Sequence, residues 1–168
     1  EPEDVLAEAP DVVIVATGGL PDTEVLTSGN DLAVSAWDII SGDVRPGADV
    51  LVFDDAGDHA GLQAAEVIAR TGAKVEVMTA DRTFAPEVMG MNLVPYMRAL
   101  QTLDTTFTVT YRATAARREG NRIIVTIGSD YGGVAQTRTV DQLVINHGTL
   151  PLDELYFALK PLSRNGGE

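Results

Sequence analysis

The residues best suited to chemistry stand together in Asp54-Asp55-Ala56-Gly57-Asp58-His59-Ala60-Gly61. They follow an apolar run and precede apolar residues at helical spacing. This is the setting in which a glycine-rich loop holds the pyrophosphate of a dinucleotide. A working fingerprint reads G-x-G-x-x-G, and its glycines let the backbone approach the phosphates at the helix N-terminus. With Gly61 as the last glycine, the positions five and three before it are Ala56 and Asp58, and Gly57 supplies a close approach only at altered spacing. Asp54, Asp55 and Asp58 put carboxylates where an anion would sit. Each opposes a phosphate by ~1–4 kcal/mol, whereas a helix terminus contributes only about 0.3–1 kcal/mol the other way. The sign of the sum argues against NAD(P)H at this loop. The plainer role of the three aspartates is to cap the helix and compensate its dipole. Gly57 and Gly61 are the loop's candidate cofactor-contacting residues.

Other chemistries find less support. The chain has no cysteine, so it offers no disulfide, no thiol nucleophile and no cysteine ligand for zinc or an iron–sulfur cluster. The aspartate spacing does not fit a calcium loop, because Gly57 and His59 fall where oxygen ligands belong if Asp55 is the first. His59 reads as a surface or capping residue and His147 as a packed residue at a strand exit. Two histidines so far apart in sequence do not suggest a metal pair or a catalytic dyad. Ser35, Ser41 and Ser129 lack the strand–elbow setting of a nucleophile. Met78, Met89, Met91 and Met97 read as core filling.

The elements that must position the loop follow from hydrophobic periodicity. Asp49–Phe53 (DVLVF) reads as a strand buried on both faces, hence parallel. Leu62, Ala65, Ile68 and Ala69 repeat at helical spacing, and Gly72 stands where a glycine ends a helix. Lys74–Thr79 alternates as the next strand, so strand, loop, helix and strand form a βαβ unit. Upstream, Asp11–Ala16 (DVVIVA) is predicted as another buried parallel strand, and Ser35 as the N-cap of a short helix near Trp37–Ile40. Downstream, Asn92 is predicted to cap a helix carrying Leu93, Tyr96, Met97, Leu100 and Leu103, with Pro95 in its first turn. Thr106–Tyr111, Ala113–Arg118, Arg122–Ile127 and Ala135–Val140 read as an antiparallel β-meander. Leu143–Asn146 (LVIN) is a last buried strand. The expected fold is a Rossmann-like α/β domain of three layers, a parallel sheet with a meander beside it.

The totals bound the partners. Lys and Arg number 12 against 25 Asp and Glu, a formal charge of −13. An acidic surface repels phosphate backbones and anionic lipid heads, so nucleic acid and membranes are poor partners. No apolar run approaches the ~20 residues of a membrane span. The absence of cysteine fits a reducing, cytoplasmic compartment. The acidic start Glu1-Pro2-Glu3-Asp4 and the end Ser163–Glu168 read as cut points in a longer chain.

Two segments echo one another: Thr17-Gly18-Gly19-Leu20-Pro21 and His147-Gly148-Thr149-Leu150-Pro151. In each, a buried strand stops, turns at glycine and leaves along a path set by proline. The two exits bracket the βαβ unit and the meander. Taken with VLVFDDAGDHAGLQAAEVIARTGAKVEVMT, FAPEVMGMN, VDQLVINHGTLPLDELY and KPLSRN, this order resembles the C-terminal region of the NADH:flavin oxidoreductase family. The trimethylamine, dimethylamine and histamine dehydrogenase branch, with its N-demethylase relatives, is the nearest in pattern.

The resemblance implies a dinucleotide-binding-type domain, 49–140, inserted into a flavin- or ADP-type domain whose crossings occupy 1–48 and 141–168. It implies a longer, homo-oligomeric parent with a TIM barrel, FMN and a cysteine-ligated [4Fe–4S] cluster. None of these is carried by residues of this chain, which is expected to bind no cofactor alone and to be non-catalytic. The branch also implies that the loop is vestigial and that an electron-transfer flavoprotein receives the electrons. An ADP can lie near the strand ending in Ala-Thr-Gly, which makes Thr17 and Gly18 further candidate cofactor-binding residues, beside their plainer role as a tight turn. Two other readings stay open. One is a working NAD(P)H domain of a 2,4-dienoyl-CoA reductase-like enzyme, for which Arg82 alone could meet a 2′-phosphate. The other is an acidic docking module for an electron-transfer partner or subunit.

Overall fold

The computed structural model describes residues 1–133 and 135–163; the terminal stretch Arg164–Glu168 lies outside them. In chain order the helices are α1 (Pro2–Ala7), α2 (Ala36–Ser41), α3 (His59–Arg70), α4 (Met89–Leu100) and α5 (Glu154–Leu159). The strands are β1 (Gly19–Asp22), β2 (Ala33–Ser35), β3 (Asp49–Asp54), β4 (Lys74–Met78), β5 (Thr105–Thr108), β6 (Arg112–Glu119), β7 (Arg122–Gly128), β8 (Gln136–Val140), β9 (Gln142–Asn146) and β10 (Gly148–Pro151). The chain divides into a larger unit, Pro21–Gly148, and a smaller one built from Glu1–Leu20 and the residues from Thr149 onward.

The larger unit is the expected α/β fold. Five parallel strands lie in the order β2-β9-β3-β4-β5. Alternation along each strand sends side chains to opposite faces. Val50, Val52, Val75, Val77 and Val144 therefore pack with Ile39, Leu62, Ile68 and Leu100 of the helical layer. Leu51, Phe53, Met78, Leu143 and Ile145 pack with Ile123, Val125 and Ile127 of the antiparallel sheet β6-β7-β8. The three layers are thus helices, parallel sheet and meander, and the continuous apolar run of β3 is explained by burial on both faces. The predicted helix behind Ser35 is α2, closed by a reciprocal box in which Ser35 and Asp38 each accept the other's backbone N–H.

Four expectations need correction. Of the methionines read as core filling, Met78 is buried, but Met89 and Met91 are 75% and 88% exposed. Val12–Ala16 forms no strand, and Val12, Val13 and Ile14 are 76%, 42% and 87% exposed. The run has a strand's composition, but no strand among the described residues pairs with it, and an isolated strand leaves its backbone groups to water. Thr106–Tyr111 does not open the meander: its first part lies in β5, beside β4 in the parallel sheet. Because α4 crosses back over the sheet, β4, α4 and β5 make a second βαβ unit. Finally, α4 starts at Met89 rather than Asn92, so Pro95 lies inside it. No side chain caps this helix; buried Val88, rather than cap chemistry, sets its start.

Ion pairs fasten the meander to the parallel sheet. Arg138 Nε donates to Glu76 Oε2 at 2.8 Å, and Thr108 Oγ1 donates to the other oxygen of Glu76. Arg122 meets Asp49 at 2.7 Å and Asp141 at 3.0 Å. Glu76 is the more enclosed carboxylate, its side chain 17% exposed. Arg138→Met should therefore cost about 1–3 kcal/mol, the range for losing a charged partner from a partly buried hydrogen bond. Urea unfolding would register this as a lower midpoint at unchanged slope.

In the smaller unit α1 packs against α5. Its apolar side chains are largely exposed, including Leu6, Val12, Ile14, Phe157 and Leu162. The echoing segments come together, since β1 and β10 form a two-stranded sheet. Among the described residues no helix is long and apolar enough to cross a membrane.

Candidate functional site

In an open parallel sheet, ligands bind outside the carboxyl ends of the strands where the strand order reverses. Here that place is the pair β3 and β9: from β3 the chain proceeds through α3 to β4 on one side, while β9 lies on the other. Asp54, the last residue of β3, stands in register with Asn146, the last of β9. The loop Asp55–Asp58 then turns into α3.

Asp54 is only 2% exposed. Its Oδ1 accepts from the N–H of Gly57 at 3.0 Å and from Nδ2 of Asn146 at 2.8 Å. The same Nδ2 donates to Asp58 Oδ1 at 2.9 Å, and the Asn146 carbonyl accepts from the N–H groups of Asp55 and Ala56. Asp58 caps α3, its Oδ1 accepting from Ala60 N–H at 2.9 Å. Burial pushes the Asp54 carboxyl up from its ordinary 3.8 to about 6, and the nearby Asp58 and Asp55 add to the rise; the bonds from Asn146 and Gly57 oppose it.

Both candidate glycines are required by shape. Gly57 has φ +67°, and a Cβ there would stand 2.6 Å from Pro86 Cδ. A Cβ at Gly61 would lie 2.7 Å from each Asp54 carboxylate oxygen. A glycine at this point of the fingerprint serves close helix–strand packing; here the space it frees is filled by a carboxylate of the same chain. The donors that would meet a phosphate, Gly57 N–H and Ala60 N–H, are both bonded to aspartates. Three carboxylates oppose a dinucleotide phosphate at this place, and two of its N–H groups are already engaged by the chain's own aspartates.

Of the three aspartates read as capping, only Asp58 acts as the cap. Asp55 instead shares a hydrogen bond with His147 Nδ1 at 2.7 Å, so His147 is a hydrogen-bonding partner of the loop rather than a merely packed residue. His59 faces Tyr96 OH at 3.1 Å. Asn146 was invisible as a site residue from its own segment. The available signal was that both buried runs, VLVFD and LVIN, end in a polar residue; their register was not readable. Thr17 and Gly18 belong to the smaller unit, apart from the loop in the chain's division. Both are exposed; Thr17 Oγ1 donates to the Leu152 carbonyl, and Leu152 N–H donates to the Gly18 carbonyl at 2.9 Å. Among the described residues no three His, Asp or Glu side chains are grouped to hold a metal ion.

No family model matches the chain. Its sequence is 68% identical, over all 168 residues, to part of a probable N-methylproline demethylase of Rhizobium meliloti (strain 1021), covering 25% of that protein. It is 39% identical over 95% of its length to part of the N,N-dimethylglycine/sarcosine dehydrogenase of Chromohalobacter salexigens, covering 24% of it. Among solved structures, the 6-hydroxypseudooxynicotine amine oxidase of Pseudomonas geniculata N1 superposes with a TM-score of 0.83 at 25% identity, over 98% of this chain and 26% of that one. The chain thus spans about a quarter of the length of these relatives.

Proposed function

We propose that the chain is the non-catalytic, vestigial dinucleotide-binding region of a longer oxidoreductase of the NADH:flavin oxidoreductase and trimethylamine dehydrogenase family, one that demethylates N-methylated amino acids, a reading supported by its similarity to the two relatives above. The observation that carries the vestigial role is the self-occupied loop: the N–H groups of Gly57 and Ala60 already serve Asp54 and Asp58. The substrate class is taken from the relatives, whose names specify N-methylproline, dimethylglycine and sarcosine. FMN, supplying the two-electron oxidation, and a [4Fe–4S] cluster belong in this reading to the rest of the parent, since this chain has no cysteine to ligate a cluster.

The crossings to a flavin- or ADP-type neighbouring domain fall within 1–48 and 141–168, with 49–140 inserted between them. The exposed Val12–Ile14 run is a strand in waiting, paired by strands of the parent outside this chain. Thr17 and Gly18, at the end of that run, are the residues that would adjoin an ADP. The parent is a homo-oligomer in the cytoplasm, and an electron-transfer flavoprotein is the electron acceptor.

Calorimetric titration of this polypeptide with NADH should give no detectable heat. With glycine at positions 54, 56 and 58 and Asp55→Asn, the repulsion is removed and the fingerprint spacing to Gly61 restored, so measurable binding is expected. That binding should weaken only modestly with salt, because backbone N–H groups rather than Lys or Arg hold the phosphate. Tight NADH binding by the unaltered polypeptide would instead establish the reductase-like reading. Dye-linked oxidation of N-methylproline or sarcosine by the full-length protein, and none by this segment, tests the catalytic assignment.

A further inference from the structure

Three of the four methionines lie on one helix, α4. Leu93, Tyr96 and Leu100 form its inward face and pack in the core with Val88, from the turn before it. Met89 stands four residues before Leu93 and by helical spacing shares that face. Its backbone departs from the helix, with φ +61°, in the region that favours glycine. The departure turns its side chain outward, and Val88 takes the inward place. Met91, two residues before Leu93, falls on the opposite side of the helix. Both are exposed, whereas Met97 is half-buried and Met78 is fully enclosed in the core beneath the meander. The exposure does not come from a loose end. Glu87 N–H donates to the Gly57 carbonyl at 3.1 Å, Pro86 lies against Gly57, and Ala85 and Val88 are buried.

We propose that Met89 and Met91 are an oxidation site of the folded protein: hydrogen peroxide converts both to methionine sulfoxide ahead of Met97 and Met78, and a thiol-dependent methionine sulfoxide reductase restores them. In the forward step a lone pair of the thioether sulfur attacks one peroxide oxygen. The O–O bond breaks, that oxygen stays on sulfur, and the other leaves as water with both peroxide protons. Sulfur loses an electron pair and peroxide gains it. In the return step two thiols become a disulfide and the sulfoxide oxygen leaves as water. A thioether has no proton to lose, so its rate follows contact with the oxidant rather than ionisation. A sulfoxide at Met78 would put a polar oxygen among Phe53, Val125 and Ile127, at the cost of an unpartnered buried acceptor. At Met89 and Met91 the same oxygen meets water, and both packed faces of the sheet are left alone. The change falls on an outward surface that Val94 and Pro95 continue, and it turns the most apolar end of that surface polar. The site depends on the geometry of α4 and stands whatever reaction the parent performs.

Timed exposure of the full-length protein to hydrogen peroxide, with peptide mass spectrometry at these four methionines, tests this. The same peptides from protein unfolded in urea give the rate of each freely accessible thioether. Met89 and Met91 should react within about threefold of that rate, and Met78 at least roughly tenfold more slowly. Protein oxidised at the pair alone should melt within about 2 °C of the untreated protein, less than a loss of 1 kcal/mol would shift it. Reductase with a thiol should return both peptides to their unoxidised mass. Protection of Met89 and Met91 as strong as that of Met78 would overturn the site, and so would oxidation of Met97 ahead of the pair. A larger fall in melting temperature, or sulfoxides that the reductase leaves in place, would overturn it equally.

Discussion

Gly61→Ala is expected to destabilise the larger unit by about 3 kcal/mol, the upper part of the usual range for overpacking a filled site. At an exposed helical position the same change would stabilise by roughly 0.5–1 kcal/mol, because alanine loses less backbone freedom than glycine. The sign reverses here because the new methyl would lie 2.7 Å from both oxygens of Asp54, and Asp54 has nowhere to move inside a buried end of β3. Asp54→Ala vacates that space. In the Asp54→Ala background, Gly61→Ala should therefore be neutral or stabilising. Urea unfolding of the four proteins of this cycle should give a coupling of about 2 kcal/mol or more. Equal costs of Gly61→Ala in both backgrounds would mean that Asp54 does not occupy the space above Gly61.

Asp54→Asn should raise stability at neutral pH. A carboxyl displaced from 3.8 to about 6 binds its proton more tightly in the folded chain than in the unfolded one. Its favourable contribution is complete below 3.8 and is lost as pH rises through about 6. The displacement corresponds to at most about 3 kcal/mol, or very roughly 6–12 °C in melting temperature for a chain of this size. Asparagine keeps the oxygen that receives Gly57 and Asn146 and carries no charge. The variant should melt higher than the unaltered protein above about pH 6. The difference should shrink toward zero as pH falls to about 4. A variant less stable at all pH values would mean that the ionised carboxylate is the favoured form.

Most of the larger unit could be read from local pattern. β3, α3, β4 and β9 announce themselves because the buried-strand run, the 3.6-residue repeat and the terminal Gly72 depend on nearest neighbours in sequence. The capping of α2 by Ser35 is equally local. The failures share one cause. Val12–Ala16 has the composition of a buried strand, and a strand is realised only when a neighbour supplies the other half of its hydrogen bonds. β5 resembled a meander strand because a threonine-rich run does not state which sheet it will join. The start of α4 followed the burial of Val88, against the cap signal of Asn92.

The acidic loop divides along the same line. Residue type and spacing alone determined the sign of the loop's electrostatics: the carboxylates of Asp54, Asp55 and Asp58 and the missing glycines oppose a phosphate, and Coulomb repulsion needs no tertiary detail to have a sign. Only the tertiary structure decided what each carboxylate does instead. Asp58 caps α3, Asp55 meets His147, and Asp54 is enclosed beneath Gly61 with Asn146. Both partners from the second strand lie about 90 residues further along the chain. They arrive beside the loop because β9 inserts next to β3 in the parallel sheet, and the register of that pairing is set by the packing of two apolar faces rather than by any signal near the loop.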